Sequence, residues 1–156
     1  MEEPPDNAAA VRRQRAVVAL WGDLTQVTDL VRTHLVRLLE AGPGLAPEDV
    51  ELLMLLADAP ERRLRMIDVS ESLRLSKSGV TRLVDRLQER DLVVRSACPS
   101  DRRVVYAQLT ERGATVLESA APIFVCGLME HLGSRLDEAR VERLRADLRH
   151  LAGDAT

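Results

Sequence analysis

Apolar residues recur at alternating spacings of three and four from Val17 through Leu20, Leu24, Val27, Val31, Leu35 and Leu38. Trp21, Leu30, His34 and Leu39 widen that stripe. The period predicts one long helix over residues 11–41, closed by Gly42-Pro43-Gly44. Residues 1–10 (MEEPPDNAAA) carry no such period and are expected to be disordered. A second helix opens with Pro47 in its first turn beside Glu48 and Asp49, where acids favour the helix dipole. It continues through LLMLLA and stops near Asp58, before Pro60. A very short strand at 62–66 and a third helix at 68–73 lead to Leu75-Ser76.

The fourth helix, 77–90, has Ser76 as its N-cap. Val80, Leu83, Val84 and Leu87 form its apolar face, and Lys77, Ser78, Thr81, Arg82, Asp85, Arg86 and Glu89 fall mostly on the other side. Residues 92–97 and 104–109 are β-branched and alternating, a hairpin around CPSDRR. A fifth helix begins at Thr110 and is expected to kink near Pro122. The last spans 137–151, with Val141, Leu144, Leu148 and Leu151 turned inward.

Composition agrees with a mainly α protein carrying a minor β component. The chain has 156 residues, is 46% hydrophobic and 30% charged, and is rich in the aliphatic residues that helices favour. That size suits one domain, or a small domain with dimerisation helices. No uninterrupted apolar run reaches about 18 residues, and the start is acidic and proline-bearing. Neither a membrane span nor a signal peptide is therefore expected, and the chain is assigned to the cytoplasm. Cys98 and Cys126 form neither a disulfide framework nor a metal-binding spacing. No paired carboxylates, base-activated nucleophile, phosphate-cradling glycine loop or metal cluster is recognisable, so no enzyme and no cofactor are expected.

Charge changes the picture most. From Arg62 to Arg103 there are 11 basic and six acidic residues, a local +5, while the rest carries 11 basic and 19 acidic, or −8; together they give the net −3. Phosphates respond to the local patch and not to the sum. A polar, basic helix followed by a hairpin tipped with Asp101-Arg102-Arg103 is the layout of a winged helix-turn-helix, one element shaped for a major groove and the other for the backbone or minor groove beside it. Ser76, Ser78 and Thr81 can donate to phosphates or base edges from the first turn, or simply cap and solvate it. Lys77, Arg82 and Arg86 are candidate phosphate or guanine contacts; the alternative is a solvated face with Asp85 and Glu89 as partners. Arg102 and Arg103 at the wing tip suit a narrow minor groove.

Three motifs in order carry a family resemblance: Leu75-Ser76-x-Ser78-Gly79-Val80-Thr81-Arg82-Leu83-Val84-Asp85-Arg86-Leu87, then Asp101-Arg102-Arg103, then Leu109-Thr110-Glu111-Arg112-Gly113. With these the chain resembles the multiple-antibiotic-resistance regulator (MarR) family over about residues 64–113, and compatible helices cover most of the rest. The resemblance implies a homodimeric, sequence-specific regulator of transcription, a ligand-responsive repressor on a pseudo-palindromic double-stranded operator. It implies that Asp101 orients Arg103 through a carboxylate–guanidinium pair. Two positions depart from the pattern. Asp91 stands where the family usually has glycine, and Asp can adopt the left-handed conformation required there. Ile67-Asp68-Val69-Ser70 replaces a commoner capped start, so the third helix is expected to be less well capped.

The expected organisation is a first dimerisation helix and linker at 11–45, a DNA-binding lobe at 46–109, and C-terminal dimerisation helices at 110–156. The first and last helices have more apolar face than one winged domain can cover; a two-fold interface including Leu35 and Leu144 is expected, against self-packing in a larger monomer. Family effectors sit between the dimer helices and the DNA-binding lobe, which makes Trp21, His34 and Met54 candidates for contacting a small aromatic or phenolic ligand. Cys98 and Cys126 lie away from the family's redox cysteine. The competing reading is a winged-helix interaction module that does not bind DNA.

Overall fold

The computed structural model describes residues 7–97 and 103–153. Helix α1 runs Asn7–Ala41, so residues 7–10 are helical and not disordered as expected. Ala8, Ala9 and Ala10 are strong helix formers that extend an existing helix at little cost. Residues 1–6 lie outside the described residues, as do Cys98, Asp101 and Arg102. Helix α2 spans Pro47–Asp58, with Asp49 accepting from the Ala46 N–H at its start (2.8 Å). A 3₁₀ turn at Pro60–Arg62 leads to strand β1, Arg63–Arg65, and helix α3, Met66–Ser72, which has no side-chain cap, as its sequence predicts.

Two helix ends shape the lobe around α4 by the same device. At the end of α3, Arg74 takes φ +53° while Leu75 N–H reaches the Ser70 carbonyl (3.1 Å) and Arg74 N–H the Glu71 carbonyl (3.3 Å). This Schellman geometry satisfies carbonyls that the helix leaves over. Ser70 also donates its hydroxyl to the Leu75 carbonyl (2.7 Å), gripping the turn from both sides. The turn delivers the chain to helix α4, Lys77–Glu89, whose N-cap Ser76 accepts from the Gly79 N–H (3.1 Å). At the far end of α4, Asp91 takes φ +59°, with Leu92 N–H on the Leu87 carbonyl (2.9 Å). The left-handed conformation anticipated for this aspartate is present.

Strands β2, Val93–Ala97, and β3, Val105–Leu109, form the hairpin, and β1 adds on the other side of β3 in an antiparallel sheet of order β1-β3-β2. Helix α5, Glu111–Leu128, continues through Pro122, and the departure from regular α geometry falls at a π turn, Met129–Gly133. By length and composition Glu111–Gly133 would suffice to cross a membrane. In the fold it buries Leu117, Ala120 and Phe124 in the core. Helix α6 spans Glu138–Ala152 with Asp137 as N-cap.

One core unites Leu35 and Leu39 of α1, the apolar face of α2, Val80, Leu83, Val84 and Leu87 of α4, and Val93, Ala107 and Leu109 of the sheet. Each buried aliphatic contributes about 1.5–3 kcal/mol, so α4 is fixed chiefly by its inner face. Helix α6 behaves differently from its sequence pattern. Leu144, Leu148 and Leu151 are exposed, and α6 buries no residue within the chain. Val17, Leu20 and Val27 of α1 are exposed too. The helical period identifies an apolar face without saying what covers it.

Candidate nucleic-acid interface

Helix α4 presents the exposed side chains of Lys77, Ser78, Thr81 and Arg82 on the face opposite its buried residues. Its first turn is internally ordered: the Ser76 and Ser78 hydroxyls lie 3.1 Å apart, Thr81 donates to the Lys77 carbonyl (2.9 Å), and Arg82 Nε to the Ser78 carbonyl (3.4 Å). Lys77, Thr81 and Arg103 border one cleft of about 600 Å³ between α4 and the wing, joined there by Arg65 and Arg95. Four cationic side chains thus surround one concavity.

Arg95 and Arg65 escaped selection from the sequence. Arg95 pairs with Asp85 and donates to the Thr81 carbonyl (3.1 Å), tying β2 to α4. Alternation along β2 was its only local signal. Arg63 lies over the Tyr106 ring at 5.0 Å, a cation–π contact joining β1 to β3.

Arg86 is placed differently from its expected role. Its Nε donates to Asp49 (3.0 Å), and its Nη2 makes a second bond to the same oxygen. Asp49 is only 2% exposed, so its carboxylate is held by Arg86 on one side and the Ala46 N–H on the other. Arg86 therefore serves the α2–α4 junction. Arg90 adds bonds to the Gly44 (2.7 Å) and Pro43 (3.3 Å) carbonyls, so α4 is fastened to the α1–α2 elbow.

The three residues expected at a ligand pocket do not converge. Met54 lines a cleft of about 650 Å³ among α1, α2 and α5, together with Val27, Val31, Phe124 and Leu128. Trp21 is 71% exposed and borders a separate shallow groove with Asp29 and Arg37. His34 bonds Glu130 (2.8 Å) and stacks edge-on against His131, ring centroids 4.5 Å apart. All three share an apolar or aromatic character that the helix period cannot assign to one side of a neighbour. Cys126 is exposed on α5 with its thiol 3.6 Å from Glu130.

The rim of the Met54 cleft carries charge. Arg32 pairs with Glu48, and that bond, more than any other influence, raises the guanidinium's pKa. Burial pushes the Glu48 carboxyl up, but its own backbone N–H, Arg32 and Arg86 outweigh this and hold it below its ordinary value. Glu51 is pushed up by partial burial and by the neighbouring charge of Glu48.

The sequence profile of the MarR family matches residues 44–104. A MarR-family transcriptional regulator of Streptomyces coelicolor, Sco3205, in complex with DNA, superposes with a TM-score of 0.82 and 30% identity, covering 88% of this chain and 87% of that one. The chain belongs to the MarR family. MhqR of Bacillus subtilis, an HTH-type transcriptional regulator, is 34% identical over 99 residues, 64% of this chain and 66% of its own length. The chain thus spans just under two thirds of that curated relative, and about half of several others. CouR of Rhodococcus jostii, bound to p-coumaroyl-CoA, superposes with a TM-score of 0.75 and 26% identity, covering 85% of this chain and 91% of that one. These MarR relatives include transcriptional regulators, not enzymes, and a DNA complex and a small-molecule complex both occur among the solved structures.

Proposed function

We propose that the chain is a cytoplasmic, homodimeric, sequence-specific DNA-binding regulator, a ligand-responsive repressor acting on a pseudo-palindromic operator. The observation that carries this reading is the cationic cleft between α4 and the wing, set in the segment 62–103 with its local charge of +5. In this reading residues 46–109 are the DNA-binding lobe, and the segments 11–45 and 110–156 supply dimerisation. Ser76, Lys77, Ser78, Thr81 and Arg82 approach the major groove, and Arg102 and Arg103, with Asp101, approach the minor groove. Arg65 and Arg95 join them as phosphate contacts or supports. An interaction module without DNA binding gives no use to so exposed a basic face.

Binding to duplexes from the promoter region beside its own gene, measured at several salt concentrations, tests the reading. A steep negative slope of log affinity on log salt is expected. Arg103→Ala should weaken operator binding by about 1–3 kcal/mol while the oligomeric state stays unchanged. Unchanged affinity would remove the wing from the account.

The exposed faces of α1 and α6 support the dimer. Leu35, grouped with the interface from sequence, is 4% exposed inside the protomer core, so an acid there would unfold the protomer and report nothing about assembly. Leu144, 43% exposed, is the informative position. Leu144→Asp should shift the protein towards monomer in analytical ultracentrifugation with its helical circular dichroism retained. A fully dimeric variant would place the interface elsewhere.

A further inference from the structure

We infer that the cleft among α1, α2 and α5 takes a lipophilic cation, an apolar body carrying a protonated amine, in preference to an aromatic carboxylate. The inference rests on the ligand-responsive reading proposed above, takes that cleft as the effector's site and adds the charge of its ligand. Its walls are aliphatic and aromatic, with Val27, Val31, Met54, Phe124 and Leu128 among them. At about 650 Å³ it falls within the range of small-molecule sites. Such walls accept many apolar bodies, so discrimination falls to the few charged groups at the rim.

Arg32 is the cation that borders the cleft, and it is already engaged by Glu48. An incoming carboxylate would have to displace Glu48 from Arg32, leaving a partly buried acid without its partner. The surroundings add to this bias. Asp29, Glu48 and Glu51 all act on Arg32, and the nearby Arg86 is held by the buried Asp49. At this rim Arg32 meets Glu48, its partner, and Glu51, an excess of one negative charge. Glu51 is the acid of this group that lines the cleft, beside Met54 and Leu55; among the described residues it forms no salt bridge, and Arg32, bound to Glu48, acts on it only through space. An ammonium group placed at Glu51 would relieve the repulsion between Glu48 and Glu51, whereas an anion would add to it.

Three probes of one shape, naphthylethylamine, naphthylethanol and naphthylacetate, titrated calorimetrically into the protein at neutral pH, test the inference. The amine should bind tightest and the acetate weakest, with about tenfold or more between them. Glu51→Gln should narrow that ratio mainly by weakening the amine. Acetate binding as tight as amine binding, a ratio unchanged in Glu51→Gln, or no binding by any of the three would overturn it. Promoter-duplex binding by the unsubstituted protein, measured on the same preparation, judges the DNA reading separately.

Discussion

Gly113→Ala is expected to lower the stability of the protein by about 3 kcal/mol. A glycine-to-alanine change inside a helix ordinarily stabilises by up to about 1 kcal/mol, so the sign itself is diagnostic. Gly113 sits in the first turn of α5, where its N–H bonds the Thr110 hydroxyl (2.9 Å). A methyl group there would stand 2.1 Å from the Leu92 carbonyl oxygen and 2.8 Å from a Leu109 methyl. The carbonyl cannot yield cheaply, because it accepts from Thr110 N–H (3.1 Å) and Thr110 Oγ1 (3.1 Å), and the same hydroxyl reaches the Asp91 carbonyl (2.6 Å). The Leu-Thr-Glu-Arg-Gly motif is thus a clamp between the start of α5 and the end of α4. Urea denaturation measures the loss. A variant as stable as the parent would mean that this approach relaxes without cost.

Asp49→Ala should cost about 2–3 kcal/mol, the second large effect. The substitution removes a helix-start bond worth about 1 kcal/mol and the anion that holds Arg86. A fully buried pair broken on one side loses about 3–5 kcal/mol, but the Arg86 side chain is half exposed and regains water, which sets the lower figure. Arg86→Ala should cost a comparable amount by stranding a buried carboxylate. The double variant should lose clearly less than the sum, and strictly additive losses in the same denaturation experiment would deny the coupling.

Much of the fold was readable from local signals. Ser76 announced the start of α4, Gly42-Pro43-Gly44 the end of α1, and the alternation on either side of the wing its two strands. Even the unusual Asp91 could be assigned a left-handed turn, because the constraint is confined to a few successive residues. What escaped were relations across the chain. Asp49 and Arg86 are 37 positions apart and each looks like an ordinary surface charge in its own helix. Leu144 and Leu148 obey the same period as buried leucines, because the pattern records which face is apolar and is silent about its neighbour. Trp21, His34 and Met54 are grouped only by where the resemblance places an effector, while the packing of α1 and α2 sends them to different surroundings. Arg65 and Arg95 had the opposite problem, being common residues whose place at the wing depends on strand pairing.

The uneven distribution of charge has a kinetic corollary. A polyanion drifting towards this molecule is repelled by the −8 spread over residues outside the 62–103 segment and welcomed by that segment alone. At about 0.1 M salt such fields reach about 10 Å, far enough to turn a tumbling partner before any atoms touch. For the regulator proposed above, the acidic bulk is a rudder, discarding wrong approaches early and letting a protein of net negative sign find nucleic acid quickly.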